Sequence, residues 1–112
     1  MEAERIGQEV VVQPSQRVTI RVPARHNPRL QQVIDRVNAD DELYTLWQVI
    51  NVNAVQRLAM NDHGPVHVQI VTNIALKLLR LLIDRSVTPS VVVGHGLTIE
   101  DAEVIVVLAS LL

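Results

Sequence analysis

The 112-residue chain has no cysteine and no phenylalanine, and a single tryptophan and a single tyrosine. Without cysteine there is no disulfide scaffold, no thiolate nucleophile and no cysteine-based zinc site, so any metal must be held by His, Asp or Glu. Charge of either sign is also sparse. Ten basic residues against twelve acidic ones give a net charge of −2, which is no electrostatic footprint for nucleic acid or an anionic membrane. The longest apolar stretch, Leu76 to Ile83, is interrupted by Lys77 and Arg80 and falls far short of the roughly 20 residues that span a bilayer. Met1 to Ile6 carries Glu2 and Glu4 and no apolar core, so it does not read as a secretory signal, and a cytoplasmic location is expected. What is abundant is Val, Leu and Ile, 42 residues in all. That aliphatic content excludes intrinsic disorder for the body of the chain and points to one small folded domain.

Along the chain, Val10, Val11 and Val12 precede a strict alternation from Arg17 to Val22 across Pro14, Ser15 and Gln16. Val18, Ile20 and Val22 fall on one side and Arg17, Thr19 and Arg21 on the other, so the pattern predicts an N-terminal β-hairpin, closed by Pro23. From there the periodicity becomes helical. Asn27-Pro28 reads as N-cap and first helical position, with Leu30, Val33, Ile34 and Val37 at helical spacing. Asp40 or Asp41 caps a second helix whose Leu43, Leu46, Trp47 and Ile50 are expected to share the buried face. Gly64-Pro65 opens the most strongly patterned segment, Val66 to Asp84, with polar residues Gln69, Asn73, Lys77, Arg80 and Asp84 in one stripe; everything opposite is expected to be buried. Thr88-Pro89 reads as the start of a one- or two-turn helix ending at Gly94, with a strand over Val91–Val93 as the competing reading. Thr98 and Asp101 form a capping box for a final helix from Ile99 to Leu112. Its apolar end has no glycine or basic last turn, which reads either as a larger domain continuing or as a surface that docks onto a partner subunit. The expected fold class is mainly α: a short hairpin or arm over residues 1–24, then a helical region over 25–112.

Chemistry-bearing residues concentrate in one place. The segment Asn61-Asp62-His63-Gly64-Pro65-Val66-His67 brings two of the four histidines beside a carboxylate and a carboxamide at a helix start. On a 100° wheel His67 belongs to the apolar face with Ile70, Val71, Ile74 and Leu78, either as a neutral core imidazole or as a ligand. His63 lacks the following glutamate of a zincin motif, and reads as a capping or loop residue. His26 and His95 sit in loop-like surroundings, and Asp101 and Glu103 are most simply helix-start charges. Arg17, Arg21, Arg25 and Arg29 form a basic series that either meets an anion or is solvated. Neither Ser86 nor Ser90 lies in a Gly-x-Ser-x-Gly elbow. Gly7, Gly64, Gly94 and Gly96 make no phosphate-binding loop.

The run from His67 to Leu76, with Asn51-Val52-Asn53-Ala54, Arg57-Leu58, the Asn61–His67 segment and Thr98–Ala109, resembles the HD-domain metal-dependent phosphohydrolases, in particular an archaeal and thermophilic subgroup. The resemblance covers residues 22–112 and implies the N-terminal portion of a helical HD-like bundle. His67 matches the first metal ligand, the histidine that opens a helix. His63, Asp62 and Asn61 would then be outer-sphere or substrate-side groups. The His-Asp pair and the distant aspartate of that superfamily are absent from this chain. The implied cofactor is a divalent metal ion (Mn, Fe, Ni, Co, Mg or Zn) and the implied partner a phosphorylated small molecule or nucleotide. The alternative is a non-catalytic oligomerisation or ligand-binding helical domain, associating through the apolar C-terminal helix, and a homo-oligomer is expected in either case.

Overall fold

A computed structural model describes residues 17–53, 55 and 64–112. Among them are five helices: α1 (Pro28–Asn38), α2 (Asp41–Val52), α3 (Pro65–Asp84), α4 (Ser90–His95) and α5 (Ile99–Leu111). Their starts follow local chemistry. The Asn27 side chain accepts from the Leu30 amide at 3.1 Å ahead of Pro28. Asp40 caps α2 through the Leu43 amide at 2.9 Å. Thr98 and Asp101 exchange both capping-box bonds at 3.1 Å, satisfying donors that a helix N-terminus otherwise leaves bare. The segment after Thr88 is helical rather than a strand, but Pro89 is its N-cap and the left-handed closing residue is Gly96 (φ 66°), two positions beyond Gly94.

The core forms where α3 packs lengthwise on α5 and α1 packs on α5. Leu30, Ile34, Leu76, Val107 and Leu111 are fully buried there, and Tyr44 and Trp47 enter from α2. The Trp47 indole donates to the Leu111 carbonyl at 3.0 Å, so one of the unpaired carbonyls at the end of α5 is capped by a side chain from another helix. Ser110 donates to the Thr72 hydroxyl at 3.0 Å, tying the end of α5 to α3.

The expected hairpin does not form among the described residues. Val10–Val12 lie outside them, and Arg17–Val22 is extended but pairs with no strand. The alternation itself holds, with Ile20 buried and Thr19 and Arg21 exposed. The backbone partners are instead side chains. The Ile20 amide donates to Asn38 Oδ1 at 2.9 Å and the Ile20 carbonyl accepts from Asn38 Nδ2 at 2.8 Å. Gln69 repeats this two-bond pairing on Arg21 at 2.8 and 3.0 Å, and Asn73 adds a second donor to the Arg21 carbonyl at 2.7 Å. The Val18 amide donates to the Tyr44 hydroxyl at 2.9 Å. A carboxamide presents a donor and an acceptor at the spacing of a peptide group, so it can stand in for a neighbouring strand.

This pairing explains why the buried face of α3 is turned from the expected one. Gln69 and Asn73, read as a solvent stripe, face the extended segment. Val68, Thr72, Leu76 and Leu79 face the core. Ile70, Ile74 and Leu78, expected to be buried, are each more than half exposed. On α2 the inward residues are Tyr44 and Trp47, while Leu46 and Ile50 are exposed. The wheel is turned because Tyr44 receives the Val18 amide and its ring lies 4.4 Å from the Arg17 guanidinium. By length and composition α3 is also a helix apolar enough to cross a membrane, although no single uninterrupted run in the sequence is.

Gly64, the residue before α3, is buried, and a Cβ added there would lie 2.9 Å from Asn51 Nδ2 and 3.2 Å from Asn51 Cβ. The glycine lets the end of α2 touch the start of α3. Gly64→Ala is expected to cost about 1–2 kcal/mol through overpacking, read as a lower urea midpoint at unchanged m-value.

Candidate functional site

The first helical turn of α3 carries His67, with Gly64 as N-cap and Pro65 at the first position. A 100° advance per residue sets His67 at the head of a line that continues through Ile70, Val71, Ile74 and Leu78. That grouping matches the sequence expectation, but the inward orientation does not. His67 is exposed, as are Ile70 (52%), Ile74 (60%) and Leu78 (55%). The face turned to the core is instead the one carrying Val68, Thr72 and Leu76, because α5 packs on that side. His67 therefore presents an imidazole at one end of an open apolar stripe. Asn61, Asp62 and His63 lie outside the described residues. Among the described residues no three His, Asp or Glu side chains converge as metal ligands would. A single imidazole falls short of the about three or four protein ligands that a divalent metal ion takes.

A second polar centre, missed in the sequence, lies thirteen residues further along α3, about 20 Å at the helical rise. Arg80 donates from Nε to Glu103 Oε2 at 2.7 Å and from Nη2 to Glu103 Oε1 at 3.1 Å. Asn27 Nδ2 donates to the same Oε1 at 2.9 Å and to the Glu100 carbonyl at 3.1 Å. Both charged side chains are largely out of solvent, 14% and 10% exposed. Burial alone would push the Glu103 carboxyl up, but the hydrogen bonds from Arg80 and Asn27 and the nearby charges of Arg80 and Arg25 outweigh it and hold the group below its ordinary value. Glu103, read as a helix-start charge, is a structural anchor. Its signal was available: an acid on α5 and a base on α3 in otherwise apolar surroundings. Asp101 is the helix-start charge, lowered mainly by its bonds to Thr98, with Arg29 2.7 Å away.

The centre forms the wall of a cleft of about 230 Å³, shared with Ala24, Arg25, His26, Ile83 and Ile99; His67 is not among its walls. The basic series does not form one anion-facing surface. Arg17 pairs with Asp41 and lies over Tyr44, and Arg29 pairs with Asp101. Arg25 occupies a left-handed turn (φ 53°), and Arg21 is exposed. His26 and His95 are both exposed.

The fold is thus a mainly helical unit with one exposed histidine-headed apolar face. No family model matches the chain, and no solved structure matches it. An uncharacterized protein of Methanocaldococcus jannaschii is 34% identical over 82 residues, which are 73% of this chain and 32% of that protein. The chain therefore spans about a third of the length of the relative it matches.

Proposed function

We propose that this chain supplies the N-terminal part of a divalent-metal-dependent phosphohydrolase acting on a nucleotide or other phosphoester. The supporting observation is His67, in the first turn of α3, heading the exposed stripe of Ile70, Ile74 and Leu78. A helix apolar on two opposite faces belongs in the middle of a larger helical core. Packing further helices on the open face would dehydrate the surroundings of His67 and bring other ligands to it. A metal bound there would polarise a phosphoryl oxygen and lower the pKa of a bound water. The contribution of this chain is an imidazole on a helix whose opposite face is fixed by Thr72, Leu76 and α5. The complete gene product is expected to hydrolyse members of a phosphoester panel with added divalent cations, and to lose that activity in His67→Ala without loss of helicity. Full activity of the folded variant would refute the assignment.

A further inference from the structure

The segment Arg17–Val22 is bound to the helices as a peptide ligand would be. Five hydrogen bonds join its Ile20 and Arg21 backbone to the carboxamides of Asn38, Gln69 and Asn73, two donated by the segment's amides and three accepted by its carbonyls. Of its apolar side chains, Ile20 enters the core cluster and Val18 and Val22 pack against it. The groove that holds it is edged on the α1 side by Gln31, Ile34, Asp35 and Asn38, which share a cleft with Thr19–Val22, and its carboxamides pair with the segment's backbone, which is the logic of strand addition without a strand.

The joint between this segment and α1 is short and strained. Pro23 and Ala24 lead into a turn closed by the Asn27 amide on the Ala24 carbonyl at 2.9 Å. Within it Arg25 takes φ 53°, a left-handed conformation that a side chain with a Cβ adopts at a cost. Straightening the joint removes that cost and swings the segment away from its own groove. The groove of a second copy then offers it every bond it gave up.

We infer that residues 17–22 exchange between two copies of this chain, with Pro23–His26 as the hinge, giving a dimer in which each copy fills the other's carboxamide groove. Strained, short hinges favour such exchange. The occupant is a second copy because the groove's contacts are those made by this segment itself.

The full chain contains no cysteine, so single-cysteine variants report cleanly. Thr19 and Asp35, which border the same groove, are each replaced, Thr19→Cys in one chain and Asp35→Cys in another. The two are refolded together from urea at high concentration and oxidised. The inference expects a disulfide-linked heterodimer, and a concentration-dependent dimer by light scattering. Arg25→Gly, which lifts the strain from two closed monomers for each dimer lost, is expected to weaken that dimer about tenfold or more. Monomers at every concentration would overturn the inference. So would dimers that form no 19–35 crosslink, ignore Arg25→Gly and dissociate on Ile74→Glu, since those would be held by the exposed stripe of α3.

Discussion

Trp47→Ala is expected to lower the stability of this chain by about 3–5 kcal/mol, the range for truncating a large buried aromatic. The ring is 6% exposed, packs edge-on to Tyr44 with centroids 6.1 Å apart, and sits among residues of three helices. Two losses add. The cavity removes dispersion contacts on every side, and the Leu111 carbonyl loses its indole donor at 3.0 Å. Thermal melting by far-ultraviolet circular dichroism should show the midpoint falling by roughly 10–20 °C, given a few degrees per kcal/mol at this chain length. Trp47→Phe separates the losses, keeping most of the packing and costing about 1–2 kcal/mol for the unpaired carbonyl. Equal midpoints for Phe and wild type would mean that the indole bond does not hold α5 to α2.

Glu103→Ala is expected to cost about 3 kcal/mol at neutral pH, because it removes the counter-charge of the Arg80 guanidinium, which is 14% exposed, and one of the two acceptors of the Asn27 amide. Replacing both partners, Arg80→Met with Glu103→Leu, should recover most of that loss, since a buried pair repays little beyond its own desolvation. The pH dependence has a definite sign. Glu103 is held below its ordinary value of 4.5 in the folded chain, so the unfolded chain takes up its proton first as pH falls. The Glu103 contribution is therefore fully present above the ordinary carboxylate range and is lost as pH drops from about 4.5 through the lowered folded value. Asp101, lowered from 3.8, acts in the same direction. Urea titrations between pH 3 and 7 should show an acid limb in the wild type that is shallower in Glu103→Gln. Parallel limbs would assign the acid sensitivity elsewhere.

Helix starts were legible because capping is local. Asn27-Pro28, Asp40, Gly64-Pro65 and the Thr98–Asp101 box each act within four residues. The spacing on α1 rightly put Leu30 and Ile34 inside, but the buried faces of α2 and α3 were not legible, since those depend on what arrives from elsewhere. The polar stripe of α3 looks solvated on a wheel until a segment 48 to 52 residues away lays its backbone against Gln69 and Asn73. The alternation over Arg17–Val22 correctly marked an extended, half-buried segment, yet its periodicity could not distinguish a strand partner from Asn38 and Gln69. Likewise the sequence grouped His67 with Ile70, Ile74 and Leu78, and that grouping stands. Its inward direction does not, because no helix among the described residues covers that face. Glu103 was hidden by its position near a helix start, where an acid already has a sufficient local reason.

The proposed role of the chain turns on whether His67 holds a metal. Elemental analysis of the complete gene product, purified without chelator, measures this most directly when wild type and His67→Ala are compared at matched helicity. The account predicts one or two divalent metal ions per chain in the wild type and their near-complete loss in the variant. Equal metal content in the two proteins would contradict it.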